Sequence, residues 1–146
     1  DLSTGRQSVI MWSADMSYHP GGNMGQTTNN RYVEWMFCSL KAGHEKEAAE
    51  AAKKYIEFYK KSNESYEWDI YMTMIGYDTP MWICMTRSKN AIEMRQLEAD
   101  LWAKYNTELE QLWLDFSRTC SHRLTLTVQF RWCMVRIALS LRFIHS

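Results

Sequence analysis

The sequence predicts an α+β fold in which two helices cover one face of an antiparallel sheet. Two stretches rich in helix formers lie between segments that are rich in β-branched and aromatic residues or that alternate apolar and polar side chains. The predicted order of these elements is strand, helix, strand, strand, helix, strand. A chain of 146 residues with 46% apolar residues is long enough for one such domain with a packed core.

The first strand and helix of this pattern lie in residues 31–62. The strand Tyr32–Leu40 ends at a corner, residues 41–44, which contains Gly43. From Glu45 onward almost every residue is a good helix former. One stripe of this helix carries small and aromatic side chains, namely Ala48, Ala52, Tyr55 and Tyr59.

A β-hairpin follows the first helix. Residues 66–74 alternate apolar and polar side chains, residues 76–80 have the composition of a turn, and residues 81–86 return as a second strand. Residues 91–119 predict a second helix, with Asn90 or Ser88 as its N-cap. Asn106 and Thr107 predict a break within that helix, where Thr107 would cap the second part.

The last strand of the predicted module is residues 123–132, where Leu, Val, Phe and Trp alternate with polar residues. The alternation resumes out of phase after Cys133 and Met134, which predicts a bulge or turn there. At the other end of the chain, residues 8–12 predict a short strand, and the Gly- and Asn-rich residues 21–30 predict a linker. We therefore predict an N-terminal strand and linker in residues 1–30 and one α+β module in residues 31–146.

This element order is that of the split βαβ, ferredoxin-like arrangement, βαββαβ. Residues 32–35 (YVEW), 41–45 (KAGHE) and 66–71 (YEWDIY), with the hairpin and closing helix, resemble the dimeric α+β barrel superfamily. That superfamily includes antibiotic-biosynthesis-monooxygenase-like and NIPSNAP-like domains. The resemblance implies a dimeric α/β barrel, which self-associates through its sheet face as a homodimer or with a tandem module.

Residues 15–20 (DMSYHP) are similar to a segment that ends one barrel module in uncharacterised exported bacterial proteins with two such modules in tandem. This similarity implies that residues 1–20 are the tail of a preceding module. It also implies a periplasmic or secreted location, with the cytoplasm as the alternative.

The predicted strand faces define one candidate cleft. If the apolar positions of the last strand meet the helices, Gln129 and Arg131 face the barrel interior, and the hairpin contributes Asp69 and Tyr71. Glu34 is the more polar choice from the first strand. The candidate cleft is therefore Glu34, Asp69, Tyr71, Gln129 and Arg131, which suits a polar ligand or an oriented proton transfer. The alternative is that Arg131 pairs with Glu34 or Asp69 in an interface between two sheets.

Several classes of site are not indicated by the sequence. The net charge is zero, which argues against a nucleic-acid binder, and no apolar run is long enough to span a membrane. The four cysteines form no CxxC pair and have no His at metal-ligand spacing, so we predict no metal. The sequence has no Gly-rich phosphate loop, and we predict no cofactor. Cys38 and Cys84 lie in predicted strands, where a free thiol behaves as a small hydrophobe. An exported protein could instead contain two disulfides, but the sequence selects no pairing.

Two functions of different classes follow from these observations. The first is a ligand-binding or structural association domain, for which the partner is a second module or a small apolar ligand. The alternative, implied by the resemblance, is a cofactor-independent monooxygenase-like enzyme acting on a small apolar or aromatic compound in the barrel cleft. A third hypothesis is that the arginine-rich end, which follows the last acidic residue Asp115, binds an anionic surface.

Overall fold

The computed structural model describes residues 9–20, 30–76, 80–131 and 134–140, and from residue 122 onward it describes the backbone alone. The described residues form an antiparallel sheet and two helices, which confirms the predicted α+β class. The bounds in chain order are β1 Val9–Tyr18, β2 Tyr32–Leu40, α1 Glu45–Ser62, β3 Trp68–Ile75, β4 Met81–Ser88, α2 Ala91–Ser117, β5 Cys120–Arg131 and β6 Met134–Ser140.

The strand order in the sheet is β1-β3-β4-β2-β5-β6, and every neighbouring pair is antiparallel. The predicted hairpin is present as the pair β3–β4. Both helices pack on one face of the sheet, where they bury residues of β2, β3 and β4. This architecture is compatible with a ferredoxin-like fold.

Strand β1 is longer than the sequence predicts and joins the same sheet through β3. The predicted strand ended at Trp12, because the polar residues that follow break the apolar run. The structure accommodates them with a shift in register between Ser13 and Tyr18. Within this irregular stretch, the Ser17 hydroxyl accepts a hydrogen bond from the backbone N–H of Ile70 at 2.9 Å. A side chain therefore supplies the partner that the interrupted ladder leaves missing.

The corner before α1 has the geometry that its sequence predicts. Gly43 has a φ of 81°, a value that glycine adopts without the steric cost of a Cβ. His44 takes the N-cap position, and its Nδ1 lies 2.5 Å from Oε2 of Glu47. The predicted stripe of the helix faces the sheet, with buried Ala48, Ala51, Ala52, Ile56 and Tyr59.

Helix α2 begins at the predicted cap and breaks at nearly the predicted place. The Asn90 side chain accepts a hydrogen bond from the backbone N–H of Glu93 at 2.9 Å. Tyr105, one residue before the predicted break, has non-helical angles of φ −132° and ψ 35°. Tyr105 and Lys104 both donate to Oε1 of Glu64, just beyond α1, at 2.8 and 2.6 Å. The break therefore coincides with a polar contact between the helices.

The replacement Asn90→Ala is expected to lower the free energy of unfolding by about 1 kcal/mol, because it removes the cap of α2. Asn90→Gly is expected to cost only a few tenths of a kcal/mol, since glycine leaves the backbone amide open to water. Urea unfolding of the two variants beside the parent measures both values. Equal losses in the two variants would show that the side-chain hydrogen bond does not stabilise the helix.

Under the helices, the core contains a group of aromatic rings in tilted and edge-to-face contact. The ring of Trp68 lies 5.0 Å from Tyr18 and 4.9 Å from Tyr59, measured between centroids. The Tyr18 hydroxyl donates to the backbone oxygens of Tyr59 and Glu64 at 3.2 and 3.0 Å. These contacts attach β1 to the C-terminal end of α1, so the first strand is part of the core.

Cys38 is not a free thiol but part of a disulfide, which is one of the two states that the sequence leaves open. It forms a disulfide with Cys120, and the two Cα atoms lie 5.9 Å apart. The bond joins β2 to the start of β5 and is buried, with 1% and 8% of the two residues exposed. The sequence could not select this pair because the strand pairing brings together residues 82 positions apart.

The face taken by the apolar positions of β5 also differs from the expectation on which the candidate cleft was built. Leu126 is the partner of Trp35, and Thr127 is the partner of Glu34. Cross-strand partners occupy the same face of a sheet. The apolar positions of β5 therefore align with Trp35, on the face opposite the helices, whereas the prediction aligned them with the helices.

Candidate functional site

The carboxylate of Asp69 in β3 is the centre of a polar cluster on the sheet face opposite the helices. Its side chain is 6% exposed. Trp12 Nε1 in β1 and His19 Nε2 each lie 2.9 Å from Oδ1, and the guanidinium of Arg87 in β4 binds Oδ2. A buried carboxylate needs such partners to offset its loss of hydration. The Asp69 cluster, defined as Asp69, Trp12, His19 and Arg87, thereby ties three adjacent strands together.

His19 directly follows β1 and lies between two acidic side chains. Its Nε2 is 2.9 Å from Asp69, and its Nδ1 is 3.5 Å from Oε2 of Glu67. Among the described residues, this Nδ1 is a buried side-chain atom without a hydrogen-bond partner. Because the nitrogen is buried, a ligand on the sheet face cannot reach it. His19 therefore acts as a link between β1 and β3.

Tyr71 extends the polar cluster towards the middle of the face. Burial raises the pKa of its hydroxyl, and the charge of Asp69 raises it further, while Arg87 acts in the opposite direction. The group is consequently a neutral phenol at neutral pH. It can donate a hydrogen bond to a ligand or to a second protein surface.

An apolar and aromatic band crosses the same face. Trp12, Tyr71, Ile83 and Phe37 are successive register partners across β1, β3, β4 and β2. Phe37 stacks on Trp35 with a centroid distance of 6.2 Å. We call Trp12, Tyr71, Ile83, Phe37 and Trp35 the aromatic band. No helix of the described ranges packs on it, because α1 and α2 lie on the other face.

Glu34 does not share this face with Asp69 and Tyr71. Its register partner is Thr86, which in turn pairs with Trp68 of the helix-covered core. The Glu34 carboxylate binds the guanidinium of Arg95 in α2, and its side chain is 14% exposed. The sheet therefore separates Glu34 from Asp69, and one cleft does not contain both.

The other two predicted cleft residues, Gln129 and Arg131, have side chains outside the described part of the structure. Their backbone positions are known: Gln129 is the partner of Tyr32, and Arg131 is the partner of Met134. Both belong to β5, which β4 and β2 separate from β3. Of the five predicted residues, the described side chains bring together Asp69 and Tyr71.

Cys84 in β4 is a free cysteine on the helix side of the sheet. Burial, with smaller contributions from Asp69 and Glu34, raises its pKa to about 12. The group is therefore a neutral thiol near neutral pH, which is unsuited to nucleophilic attack. Within the described residues, no group of three or more His, Cys, Asp or Glu side chains could hold a metal ion.

Sequence reasoning missed Trp12, His19 and Arg87 as members of the polar cluster. The sequence predicts a short strand at Trp12 without a partner, and it gives His19 no role beyond the segment of residues 15–20. What brings these residues together is that β1 and β4 pair with β3 on its two sides. Such strand pairing joins residues far apart in the chain, so a local pattern does not reveal it. The alternation in β3 did predict correctly that Asp69 and Tyr71 face away from the helices.

None of the helices in the described ranges combines the length and apolar composition needed to cross a membrane. Comparison of the chain with protein-family models, with curated proteins and with solved structures gave no match.

Proposed function

We propose that this chain is a ferredoxin-like association module of the dimeric α/β barrel type, which pairs with a second copy or module through the sheet face opposite its helices. The observation that supports this proposal is the aromatic band. Trp, Tyr, Phe and Met are enriched in the buried centres of protein interfaces. Ile83 in the middle of the band is 2% exposed, and the four aromatic side chains around it are half-buried, so these rings supply the contact surface across four strands.

The Asp69 cluster is compatible with burial in this interface. The carboxylate already has a cationic partner in Arg87, so covering it would not leave an isolated charge in a dry environment. Arg87 itself remains 17% exposed, at the side of the band. This combination of an apolar centre with satisfied polar groups beside it is common in interfaces between subunits.

The replacement Trp35→Glu is expected to weaken self-association by about 100-fold or more, because it places a carboxylate at the centre of the proposed interface. Sedimentation equilibrium over a range of protein concentrations measures this change. The matched control is Trp102→Glu, since Trp102 lies on α2 and is 41% exposed. We expect the control to associate like the parent, with both variants folded by circular dichroism. A parent that is monomeric at all concentrations would contradict the proposal.

The second candidate function is a cofactor-independent monooxygenase-like enzyme that acts on a small aromatic compound held against the band. The feature that favours it is the Tyr71 phenol, a single hydrogen-bonding group within an apolar surface. Under this alternative, Tyr71→Phe would abolish ligand binding or turnover without changing the association constant. Under the first proposal, Tyr71→Phe would leave every measured property nearly unchanged.

We also propose a periplasmic or secreted location. The Cys38–Cys120 disulfide supports it, because disulfides persist in oxidising compartments and are rare in the cytosol. Mass spectrometry of the protein isolated with its thiols trapped tests this directly. A reduced Cys38 in the native protein would contradict the proposed location.

A further inference from the structure

We propose that a methionine pocket on the helix side of the sheet binds a soft monovalent cation, Cu(I), for which Ag(I) is a redox-inert substitute. The pocket is bordered by Met16 of β1, Met72 and Met74 of β3, and Trp82 of β4. Its volume is about 360 Å³, and its remaining wall consists of Glu45, Lys46 and Ala49 of α1 with Thr73, Pro80 and Met81, so it contains one acidic and one basic residue. It lies on the opposite side of the sheet from the aromatic band, so this proposal is independent of the proposed association.

The backbone brings the thioether groups together in pairs. Met72 and Met74 are two residues apart in one strand, so both side chains leave the same face of the sheet. Met11 is the cross-strand partner of Met72 and occupies the same face. Met16 follows in the same strand as Met11 and packs against the edge of the core. Four thioethers thus belong to one corner of the helix side.

Two of these methionines are unusually accessible for apolar side chains. Met74 is 58% exposed and Met11 is 45% exposed, whereas Met94 and Met85 elsewhere in the fold are 0% and 8% exposed. Methionines that fill a core resemble the second pair. Met74 lines the pocket, whereas Met11 lies beside it on the same face as the partner of Met72.

The donor chemistry selects the ion. Thioether sulfur is a soft ligand that favours Cu(I) over hard or borderline cations such as Mg²⁺, Ca²⁺ or Zn²⁺. A thioether has no proton to lose, and it does not form disulfides under the oxidising conditions in which Cys38 and Cys120 pair. The indole ring of Trp82 at the wall of the pocket offers a cation–π contact to the bound ion.

Native mass spectrometry and calorimetry with Ag(I), and with Cu(I) kept reduced by ascorbate, test the proposal. The parent for this test carries Cys84→Ala and Cys133→Ala, so that no free thiol competes for the ion. We expect one bound ion per chain, quenching of tryptophan fluorescence, and no binding of Zn²⁺. Absence of Ag(I) and Cu(I) binding to this folded parent would overturn the proposal.

The triple variant Met16→Leu, Met72→Leu and Met74→Leu removes the sulfur atoms with little change in volume, and we expect it to bind at least about 100-fold more weakly. The matched control is Met85→Leu with Met94→Leu, which should bind like the parent. The single variant Met74→Leu changes an exposed side chain and should keep the fold intact. We expect it to bind about tenfold more weakly. Undiminished affinity in the single and triple variants would overturn the proposal.

Discussion

Removal of the Cys38–Cys120 disulfide is expected to lower the free energy of unfolding by about 4 kcal/mol. The reason is the sequence separation of 82 residues, since a long closed loop strongly restricts the unfolded chain. Urea unfolding of the double variant Cys38→Ala and Cys120→Ala against the parent measures the difference. Because the bond is buried between β2 and β5, the double variant also loses packing in the core.

Reduction of the parent with a strong thiol reductant should reproduce most of this loss, whereas the double variant should not respond to the reductant. Cys84→Ala is the control, because it removes a thiol from the core without opening the loop. Its stability should still fall on reduction. A parent that unfolds at the same urea concentration with and without reductant would contradict this expectation.

The replacement Asp69→Asn is expected to cost about 3 kcal/mol, because it leaves the Arg87 guanidinium without its carboxylate in a largely buried setting. The amide has only one acceptor oxygen, so it can serve either Trp12 and His19, which share Oδ1, or Arg87, which binds Oδ2, and its NH₂ group faces the remaining donors. Thermal or urea unfolding measures the loss. Hydrogen exchange should show faster opening of β1, since two of the three donors belong to β1 or follow it directly.

The matched control for this variant is Asp115→Asn, which removes a partly exposed carboxylate that pairs with the exposed cations Lys54 and Arg118 at 3.3 and 3.7 Å and accepts a hydrogen bond from Gln111. Exposed pairs contribute less than about 1 kcal/mol, so the control should be nearly as stable as the parent. If both variants lost the same small amount, the Asp69 cluster would not stabilise the sheet. The proposal that the Asp69 cluster holds β1, β3 and β4 together would then be wrong.

The helices and the hairpin could be predicted because their signals are local. The cap at Asn90, the corner at Gly43 and the apolar stripe of α1 each depend on residues within one or two turns of one another. The alternation in β3 likewise needs no information from elsewhere in the chain. These elements position Asp69 and Tyr71 correctly on the face opposite the helices.

The site as a whole could not be predicted, because its membership depends on strand pairing. Both faces of β2 are largely apolar, so the alternation of side chains did not reveal which face the helices cover. Glu34 was therefore predicted on the face opposite the helices, whereas it lies on the helix-covered face. Trp12 and Arg87 reach Asp69 only because β1 and β4 lie on the two sides of β3. The disulfide has the same origin in the pairing of β2 with β5.

The strand order has a consequence for synthesis on the ribosome. Strands β1 and β2 are synthesised first, but they do not pair with each other. The partner of β1 is β3, and the partners of β2 are β4 and β5, all of which are synthesised later. The first neighbouring pair to emerge is β1 with β3, which encloses β2 and α1 in the intervening chain, and the hairpin β3–β4 follows. We therefore expect sheet assembly to begin around β3, with β1 unpaired until β3 has been made and β2 unpaired until β4 has been made.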